Sequence, residues 1–213
     1  MYDYIFFDLD GTLTDPGEGI TNSVIYALNK LGIDEPDRTS LYKFIGPPLQ
    51  DSFKMFYGFS EEKAALGVKY YREYFSEKGL FENKVYPDIP GLLEVLKNSG
   101  RTLAVATSKP EEFSVRILKH FDLYKYFDFV AGATMDGSRG KKADIIRYAL
   151  ENLRITDTRK VLMIGDREHD IFGAGENNID CLAVLFGYGN FEEFKKAGAK
   201  YIAENPMDIL KYA

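Results

Sequence analysis

Short apolar runs recur along the chain, each about the length of a buried strand. They are Tyr4-Ile5-Phe6-Phe7, Thr102-Leu103-Ala104-Val105-Ala106, Phe127-Asp128-Phe129-Val130, Val161-Leu162-Met163-Ile164 and Cys181 to Phe186, with a shorter one at Tyr201-Ile202-Ala203. Segments of helical spacing lie between them. Gly91-Leu92-Leu93-Glu94-Val95-Leu96-Lys97 keeps its apolar residues on one face and stops at Gly100, a C-terminal cap. Lys142 to Leu153 and Ile171 to Asn177 follow the same pattern. Strand alternating with helix predicts an α/β fold, a parallel sheet with helices on both faces.

The rhythm breaks after the first strand. From about Asp15 to Lys84 no strand-like run occurs. Ile20 to Leu28 is spaced as a helix ending near Gly32, and Ser60 can cap a second helix that starts at Glu61 and runs through Tyr70, Tyr71 and Tyr74. The expectation is a core of residues 1–14 and 85–213 with an all-helical domain, residues 15–84, inserted into it. The aromatic cluster Tyr70, Tyr71, Tyr74 and Phe75 is expected to pack inside that domain. No repeats or low-complexity tracts occur.

Composition narrows the class. Of 213 residues, 45% are hydrophobic, enough for a sizeable core. The net charge is −6 with both signs interspersed, which argues against nucleic acid or an anionic membrane as the main partner. A small phosphorylated metabolite remains open, since a local basic pocket can sit on an acidic protein. Cys181 is the single cysteine, and its apolar neighbours predict a buried strand thiol. Met1-Tyr2-Asp3-Tyr4-Ile5 shows no basic region leading into an apolar stretch, and no apolar run approaches the ~18 residues of a membrane span. The expected location is cytoplasmic.

Chemistry concentrates where strands end. The first run leads into Asp8-Leu9-Asp10-Gly11-Thr12. Side chains two apart on a strand point the same way, so both acids can face one site at the edge where open α/β sheets bind ligands. Gly11 lets the backbone turn and approach a ligand closely. The second run ends in Thr107-Ser108-Lys109-Pro110, whose hydroxyls suit phosphate oxygens or a simple helix cap. The fourth ends in Gly165-Asp166-Arg167-Glu168-His169-Asp170, bringing more acid to the same edge. Gly140-Lys141-Lys142 starts a helix with cations where the dipole disfavours them, so either an anion lies nearby or both lysines are solvated.

In this order Asp8-Leu9-Asp10-Gly11-Thr12, Thr107-Ser108, Lys142 and Gly165-Asp166 with Asp170 resemble the four motifs of the haloacid dehalogenase-like hydrolase superfamily. The resemblance spans nearly the whole chain. It implies a Rossmann-like core, with residues 15–84 where that superfamily places its C1 cap. Phe44-Ile45-Gly46-Pro47-Pro48-Leu49 and Gly187-Tyr188-Gly189 are similar to its phosphoglycolate phosphatase-like group. Membership would make the chain a Mg2+-dependent phosphatase with Asp8 as nucleophile and Asp10 as acid and then base. The same resemblance implies Mg2+ on the Asp8 carboxylate, the Asp10 carbonyl and the Asp166 carboxylate, with Asp170 supporting a water or a neighbour. Gly11, Thr107, Ser108 and Lys142 would surround the phosphoryl oxygens. Arg167 departs from the Thr or Ser that the family carries there, which bears on the shape of the metal loop.

Asp10 argues against dehalogenation, because members that displace halide lack this second acid. A 5'-nucleotidase, a sugar-phosphate phosphatase and a phosphomutase share the chemistry and remain open alternatives. A phospho-receiver is shorter and orders its residues differently, and a silent binding module would not need every motif residue. Within the cap, the loop from Lys43 to Pro48 is the expected substrate contact, with Gly46 exposing backbone and Lys43 meeting a second anionic group. Alternatively, its prolines end a cap helix. Pro and Gly at Thr14 to Gly17 and at Val85 to Gly91 predict a hinge. His169 is expected to pack or support rather than bind Mg2+, which prefers oxygen, and His120 to be structural. No pattern speaks to oligomeric state.

Overall fold

A computed structural model describes residues 2–213. Its elements, in chain order, are β1 (Tyr4–Phe7), β2 (Thr14–Asp15), α1 (Gly17–Lys30), α2 (Leu49–Tyr57), α3 (Glu61–Tyr74), β3 (Lys84–Val85), α4 (Ile89–Asn98), β4 (Thr102–Pro110), α5 (Glu111–His120), β5 (Phe129–Ala133), α6 (Lys142–Asn152), β6 (Val161–Gly165), α7 (Glu168–Glu176), β7 (Asp180–Val184), α8 (Phe191–Ala197) and β8 (Tyr201–Ala203). The chain divides into two compact units, Met1–Thr14 with Val85–Ala213, and Asp15–Lys84. The short strands β2 and β3, where the chain leaves one unit and returns, pair with each other.

In the larger unit six strands form one parallel sheet, ordered β5-β4-β1-β6-β7-β8. Alternate side chains bury opposite faces. Phe6, Ala104, Met163 and Cys181 pack against Ile145, Ile146 and Ala149 of α6, Ala174 of α7 and Phe194 of α8. Ile5, Phe7, Leu103, Val105, Leu162 and Ile164 project the other way and are also fully buried. Both faces are therefore apolar, which is why these strands read as continuous hydrophobic runs. Cys181 is buried as its neighbours predict.

β1 lies between β4 and β6, with Phe7 in register with Val105 on one side and Ile164 on the other. The chain runs outward from β1 through β4 to β5, then restarts on the other side at β6. Ligands bind at such a switch point, beyond the carboxyl ends of the strands. Asp8 follows Phe7 directly, and Thr107 and Asp166 lie two residues past Val105 and Ile164.

The smaller unit is helical. Ser60 accepts from the Lys63 N–H and caps α3, with Glu61 and Glu62 in the first turn where the helix dipole favours acid. A π-helical turn, Phe75–Gly79, continues α3. Tyr71 stacks on Phe75, and Tyr74 tilts against Tyr26, so these three members of the aromatic cluster pack within the unit. The sequence reading missed α2. Its anchors Leu49, Phe53 and Phe56 have helical spacing, but they follow Pro47 and Pro48, a pair equally suited to ending a helix. Pro48 instead precedes the first residue of α2, where its missing N–H costs nothing.

Candidate active site

The edge beyond β1, β4 and β6 gathers three carboxylates. One oxygen each from Asp8, Asp166 and Asp170 lies within 4.8 Å of the other two, and all three residues are buried. Asp166 Oδ2 accepts the Tyr188 N–H at 2.8 Å, while its Oδ1 has no hydrogen-bond partner. Three clustered anions out of water need more positive charge than one lysine supplies. That lysine is Lys142, 6% exposed, with Nζ 3.0 Å from Asp8 Oδ1 and 2.7 Å from Asp170 Oδ1 and donating to the Ala106 carbonyl at 3.0 Å. The Asp170 contact is a close ion pair off hydrogen-bond alignment. An all-oxygen, anionic and partly unsatisfied donor set fits a hard divalent cation such as Mg2+.

The electrostatics agree with that fit. Burial pushes the Asp166 carboxyl well above the usual carboxylate range, and the charges of Asp170 and Asp8 add to it. Burial likewise raises Asp170, to about 6, against the pull of Lys142. Burial works to lower the Lys142 pKa, but the Asp170 and Asp8 carboxylates outweigh it, so the ammonium stays protonated. Lys142 is therefore not solvated; its neighbour Lys141 is exposed.

Asp10 stands apart from the cluster. Its Oδ2 meets Lys109 Nζ at 2.5 Å, and its Oδ1 has no hydrogen-bond partner. Burial raises its pKa, and Lys109 only partly offsets the rise. Sequence reasoning passed over Lys109, whose one signal was adjacency to Thr107-Ser108. Here β4 runs on through Pro110 past a register shift, carrying the Lys109 side chain, 6% exposed, to the edge. Thr107 is buried, and its Oγ1 accepts the Lys109 N–H at 3.3 Å; no side chain caps α5. Ser108 is half-buried.

Two glycines let the edge close. Gly11 has φ +79°, and a Cβ there would lie 2.0 Å from Asp166 Oδ2. At Gly187 a Cβ would meet the Gly11 carbonyl at 2.3 Å and Asp166 Cβ at 2.4 Å. One Asp170 oxygen lies in the cluster with Asp8 and Asp166, and Oδ1 pairs with Lys142. His169 is exposed, so the packing expected of it is not found, and His120 is exposed at the end of α5 beside the Phe121 ring.

In the helical unit, Lys43 and Gly46 lie in and after a 3-10 turn, Arg38–Phe44. Lys43 is exposed, with Nζ 4.7 Å from the Phe56 ring centre. Gly46 is exposed with φ +102°. Among the described residues no helix is long and apolar enough to cross a membrane.

Comparison with known proteins adds an independent line. The haloacid dehalogenase-like hydrolase family matches residues 5–184. A 5'-nucleotidase of Pseudomonas aeruginosa is 48% identical over 194 residues, 91% of this chain and 87% of that protein. The tyrosine-protein kinase PtkA of Mycobacterium tuberculosis is 40% identical over 199 residues, 93% of this chain and 67% of that one. Further relatives at 30–32% identity carry phosphatase or pyrophosphatase names, a phosphoglycolate phosphatase among them. The crystal structure of a predicted phosphatase from Clostridium acetobutylicum is 51% identical with a TM-score of 0.95, covering 99% of both chains.

Proposed function

The chain belongs to the haloacid dehalogenase-like hydrolase family, and from that premise we propose that it is a Mg2+-dependent phosphatase of small phosphomonoesters working through an aspartyl-phosphate on Asp8. The observation that carries the reading is the buried convergence of Asp8, Asp166 and Asp170 beside Lys142. Their carboxylates, with the Asp10 carbonyl, would hold Mg2+, which neutralises the substrate's phosphate and so permits attack by an anion.

The protein's own groups then divide the work. The Asp8 carboxylate attacks phosphorus, and the ester P–O bond breaks. Asp10, whose carboxyl burial keeps above its ordinary range, hands its proton to the departing alkoxide. Water next attacks the acyl phosphate; Asp10 takes back a proton, and phosphate leaves with Asp8 restored. Lys142, Thr107, Ser108 and the backbone at Gly11 stabilise charge on the phosphoryl oxygens. Lys109 holds the Asp10 carboxyl toward the site.

The relatives' names put nucleoside monophosphates and phosphoglycolate first among substrates to try. The test is phosphate release from these and from sugar phosphates, with Mg2+ and with chelator, beside an arm offering ATP and a tyrosine peptide. Mg2+-dependent release is expected. Phosphate found on the peptide and not in solution would overturn the reading.

A further inference from the structure

Arg167 sits between two members of the acidic cluster and takes no part in the proposed chemistry. It is the N-cap residue of α7, and an arginine side chain has no acceptor to offer. The first N–H groups of a helix lack partners within it, so something else must satisfy them. Here the acceptor comes from α8. Glu193 Oε1 accepts the Glu168 N–H at 2.8 Å and the Arg167 Nε–H at 3.0 Å. Both side chains are largely buried, Arg167 at 23% and Glu193 at 15% exposed.

The consequence reaches the cluster through the backbone of Arg167. Its N–H donates to Asp170 Oδ2 at 3.1 Å, and its carbonyl accepts the Asp170 N–H at 3.0 Å. Fixing Arg167 therefore fixes the carboxylate whose other oxygen faces Lys142. Glu193 is itself anchored, donating its N–H to Asn190 Oδ1 at 3.1 Å. The stretch holding Glu193 also supplies the Tyr188 N–H that grips Asp166. One segment thus holds Asp166 by its start and the first turn of α7 by its end.

We propose that Glu193 and Arg167 are a positioning pair that stands in for the missing N-cap side chain and sets Asp166 and Asp170 for Mg2+. The proposal rests on the metal reading of Asp8, Asp166 and Asp170. Removing partners that orient metal ligands costs roughly 10–100-fold in affinity.

The test is calorimetric Mg2+ binding to the full chain without substrate, with Asp166→Asn as the site control. Glu193→Ala should bind Mg2+ about tenfold or more weakly, on the scale of lost supporting partners. Activity at saturating Mg2+ should stay near wild type, with KM for p-nitrophenyl phosphate little moved. Arg167→Ser restores a capping hydroxyl at the start of α7. The double variant Arg167→Ser/Glu193→Ala should therefore bind Mg2+ more tightly than Glu193→Ala alone. Should Glu193→Ala fail to fold, Glu193→Gln keeps an acceptor oxygen and should still bind more weakly than wild type. Wild-type affinity in folded Glu193 variants, or a double variant no tighter than the single, overturns the positioning role. Wild type that binds no Mg2+ overturns the metal reading and this proposal with it.

Discussion

At Asp8 the exchange of one carboxylate oxygen for an amide nitrogen removes the proposed nucleophile while keeping the side chain's volume. Asp8→Asn should fold normally and lose turnover by at least about 10³-fold. Appreciable Mg2+-dependent activity in that variant would refute the nucleophile. Asp10→Asn should behave differently, because the role proposed for it is to move a proton. An alkyl phosphate should lose about 10²–10⁴ in the phosphorylation step, the usual worth of a positioned acid. An aryl phosphate leaves with little help and should lose much less. Single-turnover kinetics on both substrates read the difference, and equal losses would remove Asp10 as the acid. Neither of these residues needed the structure to be suspected. Lys109 did, because a lysine beside a threonine and a serine has no pattern of its own until β4 turns it toward Asp10.

At the scale of elements, the close approach of α1 to the π-helical turn shows what local spacing does not reveal. A Cβ at Gly19 would lie 1.9 Å from the Gly79 carbonyl, and one at Gly79 would lie 2.5 Å from Ser23 Oγ. Gly19→Ala must push this backbone apart. It should destabilise the helical unit by about 1–3 kcal/mol, the usual cost of overpacking. Urea unfolding monitored in that unit checks it, and an unchanged midpoint would show that the backbones separate freely. The apolar period found α1 and α3 because each is long, and α3 has a capping serine at its start. It missed α2, nine residues behind two prolines, since a short segment offers few repeats of the period.

For the molecule as a whole, the expectation that the loop from Lys43 to Pro48 contacts the substrate makes its own prediction at Gly46. Its φ of +102° strains any side chain, so Gly46→Ala measures strain alone and Gly46→Trp adds bulk. If the loop meets the substrate, Trp should lower kcat/KM for the best metabolite far beyond Ala, while acetyl phosphate suffers little. Uniform loss on both substrates would take this loop out of the specificity argument. From the sequence by itself came the parallel α/β core, the helical insertion and the acids at strand ends. Each is written in local periodicity or in a residue's place at the end of an apolar run. Only tertiary structure decided that Lys109 pairs with Asp10 and that Glu193 serves the start of α7. These depend on which strands lie side by side and how far each loop reaches. Such distances are set when separate segments pack against one another, and no window along the chain contains both ends of the contact.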